Sequence, residues 1–309
     1  MMKTLWLTGG SGMVGRNIQE HPAAADWRVL APSSRDLDLT DQAAVNAWVA
    51  REKPDLVIHA AGQVGGIHAN MAHPVDFLTR NAAMGQNVIL GAWKAGVRSL
   101  INLGSTCMYP RGVDGALSED MILTGELEPT NEGYAIAKIL AARLCEYIRR
   151  EDAEAQFKTL IPCNLYGRHD KFDPKHSHLV PAVIHKVHTA KVNDEPTVEI
   201  WGDGTARREF MYAGDLADAV MRAAGNVGAL PDLMNIGLGH DFTINEYYAA
   251  AAEVIGWKGE FTHDLTKPVG MKRKMSSSAK QTEWGWSPST SLTEGLRKTY
   301  EFYLETAAP

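Results

Sequence analysis

The chain has 309 residues, of which 45% are hydrophobic and 22% charged, with a formal net charge of -6. That length can bury one large α/β domain or two intimately joined ones, and the negative balance speaks against a nucleic-acid binder, which concentrates positive charge on one face. No apolar run approaches a membrane span, a strand begins within the first residues and leaves no signal peptide ahead of it, and Cys107, Cys145 and Cys163 are too few for a disulfide framework, so a reducing, cytoplasmic compartment is expected.

Short apolar runs alternate with helical patterns through the first half, the signature of βαβ units feeding a parallel sheet. Strands are predicted at 4–8, 28–31, 56–60, 99–103 and 159–162, and helices over 41–52, 74–94 and 134–151, where apolar positions recur three and four apart. Thr40-Asp41 offers an N-terminal cap for the first of these helices. From about residue 165 the texture changes: a polar stretch at 168–178, a helix near 179–190 and a short strand at 197–201. A helix at 215–224 and a strand at 233–236 return to the main sheet, and helices at 246–255 and 292–304 belong to a smaller lobe. The expected architecture is therefore α/β: a Rossmann-type doubly wound parallel sheet over residues 1–165 plus about 206–240. A smaller α/β substrate lobe is expected over 166–205 and 241–309, with the ligand between the two.

Three segments carry chemistry. Gly9-Gly10-Ser11-Gly12-Met13-Val14-Gly15 follows the first predicted strand and opens a helix, the context in which such a loop cradles a pyrophosphate on a helix N-terminus. After the second strand no carboxylate appears until Asp36. Arg35, with Ser11, Ser33 and Ser34, favours the 2′-phosphate of NADP over the bare ribose of NAD; the plainer alternative is that Arg35 is a solvated charge. Tyr134 and Lys138 stand four apart on one helix face. A phenol titrates near ~10 unaided, so a neighbouring ammonium is what brings it into range for proton transfer. Ser105, at the end of the fourth strand, completes a relay able to polarise a carbonyl. Cys107, two residues on, has no task in a simple reductase.

The glycine string, Ser105 and Tyr134-Ala135-Ile136-Ala137-Lys138 resemble the extended short-chain dehydrogenase/reductase family over essentially the whole chain. Within it the resemblance is nearest to the GDP-L-fucose synthase family, the GDP-4-keto-6-deoxymannose epimerase-reductases. Matching strings include Val64-Gly65-Gly66-Ile67-His68-Ala69-Asn70, Gly104-Ser105-Thr106-Cys107-Met108-Tyr109-Pro110, Glu128-Pro129-Thr130-Asn131-Glu132, Ser177-His178-Leu179-Val180-Pro181 and Trp201-Gly202-Asp203-Gly204. The resemblance implies NADP(H), a GDP-4-keto-6-deoxy sugar as substrate, inversion at C3 and C5, and then reduction at C4. It implies Cys107 as base and His178 as acid, because a thiol and an imidazole both titrate within reach of neutral pH. Cofactor contacts are implied for Leu103, Gly104, Lys138, Pro162, Cys163, Asn164, Leu165 and His178. Substrate contacts are implied for Asn164, Lys186, Trp201, Arg208 and Lys274, of which Arg208 offers a bidentate fork to phosphate. A homodimer is implied through a bundle that includes the Tyr/Lys helix, for which Ala141, Leu144 and Ile148 are candidates, as they equally are for core packing.

Some readings compete. His169, Asp170, Asp173 and His176 lie near His178, but no short helical ligand pair is present and no metal is expected. His185, His188 and Cys145 read as packing or solvated residues. Departures from the family pattern are Gln63, Val269 and Ser276-Ser277-Ser278, placed in or near the substrate lobe. They leave open a sibling acting on another GDP-4-keto sugar, of deoxyheptose or colitose type. A 4,6-dehydratase is disfavoured by Cys107-Met108 where Asp-Glu is usual, and a non-catalytic NADP-binding sensor by the intact relay.

Overall fold

The computed structural model describes residues 2–173, 177–267 and 273–306. The first half of the chain forms β1 (Lys3–Thr8), α1 (Met13–Glu20), β2 (Trp27–Leu30), α2 (Gln42–Glu52), β3 (Leu56–His59), α3 (Ile67–Ala72), α4 (Pro74–Lys94), β4 (Ser99–Leu103), α5 (Glu132–Glu151) and β5 (Gln156–Pro162). Asp41 caps α2 as expected, its carboxylate accepting from the backbone N–H groups of Ala43 and Ala44.

The second half forms β6 (Asn164–Tyr166), α6 (Leu179–Val192), β7 (Thr197–Trp201), β8 (Arg207–Arg208), β9 (Phe210–Tyr212), α7 (Ala213–Gly225) and β10 (Leu233–Ile236). It closes with β11 (Phe242–Thr243), α8 (Ile244–Ile255), β12 (Glu260–Asp264), β13 (Arg273–Lys274), α9 (Ala279–Glu283) and α10 (Leu292–Thr306).

Six parallel strands make the main sheet in the order β10-β5-β4-β3-β1-β2. The chain steps from β1 outward to β2, then back across to β3, so the strand order reverses between β1 and β3. The crevice at the carboxyl ends of such a pair is where doubly wound sheets take ligands. Alternation along β1 shows why both faces must be covered. Leu5 and Leu7 enter one core with Ile58, Ile101, Leu160 and, from α7, Leu216 and Val220. Trp6 enters the opposite core with Val45, Val57, Ile89, Leu100 and Phe157. Each fully buried side chain of this size contributes about 1.5–3 kcal/mol relative to exposure.

A separate core gathers α6, α8 and α10 through Val183, Val187, Tyr247, Ala251, Leu296 and Tyr303. One stretch departs from the expected division at residue 241. Trp286 is buried in the main-sheet core, with Trp284 against it, and the Trp286 indole donates to Asp218 of α7 at 2.7 Å. An indole needs both an apolar bed and one acceptor, and α7 supplies both, so residues 279–286 pack with the parallel sheet. The strands not anticipated were β6, β8, β9, β11 and β13, of two or three residues each, and β12, which pairs parallel with β7. Runs this short carry no periodicity. His176 and the segment 268–272, with Val269, lie outside the described residues.

Candidate active site

At the end of β1 the chain turns through Gly9, whose φ is +71°. A Cβ there would lie 2.8 Å from the backbone of Ala61, and one on Gly15 would lie 2.2 Å from the Gly9 carbonyl oxygen. Neither position can hold another residue without moving backbone. Gly12 is the N-cap of α1 and supplies no side-chain cap. The helix therefore presents open N–H groups with the positive end of its dipole, an arrangement that fits a pyrophosphate. Gly9, Gly10, Ser11, Gly12, Met13, Val14 and Gly15 all line one cavity of about 600 Å³, within the usual range for cofactor sites.

Where β2 ends, the cavity is lined by Ser34 and Asp38, with Arg80 of α4 opposite. Arg35 is exposed and does not line it. The Asp36 carboxylate accepts from the Ser33 N–H at 3.1 Å and the Ser33 hydroxyl at 2.6 Å. The turn thus closes on itself and carries Arg35 at its tip. At this end the cation on the cavity wall is Arg80, which sequence alone does not single out because an arginine within a helix reads as a solvated charge.

The other end of the cavity gathers the candidates of the proton relay and those beside it. Leu103 ends β4 and Gly104, Ser105 and Cys107 follow it, Tyr134 and Lys138 come from α5, and Pro162, Cys163, Asn164 and Leu165 run from β5 into β6, with His178 nearby at the start of α6. Lys138 donates from Nζ to the Leu103 carbonyl at 2.9 Å, and Nζ lies 5.8 Å from the centre of the Tyr134 ring. Burial lowers the Lys138 ammonium to about 8 and pushes the Tyr134 phenol up, an effect that the Cys107 thiol adds to and a hydrogen bond with Ser105 eases. In this state the phenol is a neutral proton donor. Asn81 of α4 holds the strand-to-loop turn beneath them, accepting from the Gln63 N–H at 2.8 Å and donating to its carbonyl at 3.1 Å. Gln63, expected in or near the substrate lobe, lines this cavity.

Cys107 is half-buried, with the Asn131 amide Nδ2 donating to Sγ at 3.2 Å. Cys163 is buried on the same wall. Its thiol hydrogen-bonds the Asn164 carbonyl at 3.3 Å, and burial holds it well above the ordinary thiol range. His178 is exposed at the cavity mouth, and its imidazole is lowered by the surrounding protein and by the Lys171 ammonium.

Asn164 lines the cavity and donates to the Glu209 carbonyl at 3.3 Å. Lys186, Trp201, Arg208 and Lys274 do not line it. They form two groups on the smaller elements. Lys186 of α6 donates to the Glu199 carbonyl in β7 at 2.6 Å, two residues before the exposed indole of Trp201. Arg208 and Lys274 stand opposite one another in the β8–β13 pair. Ser276 is buried, its N–H donating to the buried Glu209 carboxylate at 2.7 Å. Among the described residues no group of three or more His, Cys, Asp or Glu side chains is placed to hold a metal ion, and His169 pairs with Glu20 at 2.6 Å. No described helix is long and apolar enough to cross a membrane.

A phosphate cradle at one end of a cavity and a tyrosine–lysine pair at the other define a Rossmann-type oxidoreductase that works with a nicotinamide dinucleotide. More narrowly, the chain belongs to the NAD dependent epimerase/dehydratase family, whose model matches residues 5–237. It is 53% identical over 303 residues to a GDP-L-colitose synthase of Yersinia pseudotuberculosis, covering 98% of each chain. It is 50% identical over 302 residues to a GDP-L-fucose synthase of Azorhizobium caulinodans, covering 98% of this chain and 96% of the other. The fold superposes with a TM-score of 0.91 and 27% identity on a GDP-D-glycero-L-gluco-heptose synthase of Campylobacter jejuni solved in the presence of NADPH, covering 98% and 99% of the two chains.

Proposed function

We propose that this protein is an NADPH-dependent epimerase-reductase that converts GDP-4-keto-6-deoxy-D-mannose into GDP-L-fucose, by 3,5-epimerisation followed by reduction of the 4-ketone. The observation that carries this reading is the meeting of Cys107 and His178 with Ser105, Tyr134 and Lys138 in one cavity. A plain reductase needs only the last three. The C4 ketone acidifies the protons on C3 and C5. The Cys107 thiolate removes one of these protons, and the His178 imidazolium returns a proton to the opposite face, which inverts the centre. The hydroxyls of Ser105 and Tyr134 hydrogen-bond the oxygen that gains charge in the enolate. The same pair polarises the ketone for reduction, with Tyr134 giving its proton to O4 and Lys138 supporting the phenolate left behind.

The bound nicotinamide supplies the hydride at C4. The glycine loop would hold its pyrophosphate, and Arg80 with Ser34 favours a 2′-phosphate, which supports NADP(H). The main-sheet elements serve as the cofactor lobe. Asn164, Lys186, Trp201, Arg208 and Lys274 serve the sugar, the guanine and the diphosphate from the smaller lobe. The unpaired cysteines support a reducing, cytoplasmic setting.

A second reading has its own support, the 53% identity to a GDP-L-colitose synthase. A sibling acting on that type of GDP-4-keto sugar would keep the reduction and epimerise one centre. The two separate on incubation with GDP-4-keto-6-deoxymannose and NADPH in heavy water. NADPH oxidation with deuterium at both C3 and C5 is the expected result. Oxidation with deuterium at one centre favours the sibling, and no oxidation with any GDP-4-keto sugar removes both readings.

We also propose a homodimer through α5. Ile136, Leu140 and Tyr147 are 42%, 37% and 50% exposed along one face of that helix. Of the three residues that the resemblance implies for this interface, Ala141 and Ile148 are buried in the core and the half-buried Leu144 packs against it. Sedimentation should show a dimer that Tyr147→Glu dissociates; a monomeric wild type, or a variant that stays dimeric, rejects this face.

A further inference from the structure

Asn131 is the N-cap residue of α5, a position where asparagine ordinarily turns its side-chain oxygen onto the first backbone N–H groups of the helix. Here it makes no such cap. Its Nδ2 donates to Cys107 Sγ at 3.2 Å, and its Oδ1 is buried with no partner among the described residues. The side chain has given up the contact that stabilises a helix start and left one acceptor unsatisfied, both of which cost stability. A local rule broken in this way, on the wall of the cavity, marks function rather than folding.

We propose that Asn131 is the positioning residue of Cys107, aiming its sulfur into the cavity and stabilising the thiolate through the amide hydrogen bond. This rests on the reading of Cys107 as the base of the epimerisation. A neutral sulfur is a weak acceptor and a thiolate a strong one, so a fixed N–H donor favours the charged form. The groups facing the sulfur act in concert with it. The Lys138 ammonium and the Tyr134 phenol come from α5 itself and interact electrostatically with the thiol. The Cys107 backbone N–H is turned away, donating to Ser105 Oγ at 3.2 Å, and His178 enters from the start of α6. Cys107 also lies beside the N-terminal end of the 20-residue α5, which favours negative charge. Asn131 is not a catalytic residue in this account, because it acts through the sulfur.

The test compares wild type with Asn131→Asp and Asn131→Ala. Aspartate is itself a good N-cap, so the first variant keeps the helix start while exchanging a donor for a negative charge; the second removes the donor alone. Alkylation of the thiol is followed against pH. Cys145 and Cys163 are buried, and Cys107→Ser serves as the blank. In Asn131→Asp the alkylation midpoint should move up by about one pH unit or more, as a like charge beside an ionisable group requires, with a smaller rise in Asn131→Ala. Deuterium incorporation at C3 and C5 should fall about tenfold or more near neutral pH and recover as the pH is raised. NADPH binding and hydride transfer to the unepimerised ketone should stay near wild type. A merely structural role would lower all activities together without recovery at high pH, and that result, or unchanged alkylation profiles in both variants, overturns the proposal. Shifted alkylation profiles in a protein whose wild type exchanges no deuterium with any GDP-4-keto sugar would reject the epimerase reading while the coupling of Asn131 to Cys107 stands.

Discussion

Tyr134→Phe is expected to lower 4-ketone reduction by ~10²–10⁴-fold, the span general acid catalysis commonly supplies, while the affinity for NADPH stays close to wild type. The substitution removes one oxygen from a ring that keeps its packing, so the loss falls on proton delivery. In the proposed mechanism the choice of donor follows from charge state. Burial holds the Tyr134 phenol protonated, and Lys138 remains an ammonium only below about 8. A lysine cation is present below its own titration point and lost above it. The kcat/KM for NADPH, which reports groups of the free enzyme, should therefore be level at neutral pH and decline about tenfold per pH unit above that point. Wild-type turnover of Tyr134→Phe would remove the phenol from the mechanism. A pH profile that stays level well above this region would remove the Lys138 ammonium.

The parts of this site that were legible in the sequence share one property: backbone geometry ties them to a local pattern. Gly9 turns with a positive φ and a Cβ on Gly15 would meet the Gly9 carbonyl within the same loop, and Tyr134 and Lys138 share a face because helical spacing requires it. Cys107 follows Ser105 in the same turn. Arg35 and Arg80 show where this ends. Their difference depends on Asp36 closing its turn and on α4 passing the cavity, neither of which leaves a mark in local spacing. Asn131 was visible only as one letter of a matching string. Its signal lies in its residue type, since a capping residue shortly ahead of a predicted helix, here 134–151, is the natural place to ask what its side chain caps. The substrate side was less legible for a further reason. Lys186, Trp201, Arg208 and Lys274 are suggested by resemblance alone, and the short strands β8 and β13 that pair the last two have no readable period. The fold reads better than the site because alternation such as Leu5, Trp6 and Leu7 recurs in the main sheet, whereas a site is made once.

Cys107→Ser is expected to lower deuterium incorporation at C3 and C5 by ~10²–10⁴-fold while reduction of the unepimerised ketone continues. A hydroxyl in place of the thiol keeps the size of the side chain but titrates far too high to serve as the base near neutral pH, so the variant separates proton abstraction from the Ser105–Tyr134–Lys138 relay. His178→Gln supplies the complementary case. With the base intact, the enolate still forms and can regain a solvent-derived proton from the Cys107 side. Deuterium should therefore still enter the sugar while inversion is lost. The two variants thus give opposite patterns: no exchange without Cys107, and exchange without inversion in the absence of His178. Interchanged patterns would reverse the roles of base and acid while leaving both residues in the chemistry. Unchanged exchange and inversion in both variants would leave the cavity as that of a reductase, and the half-buried thiol beside Asn131 would then need another purpose.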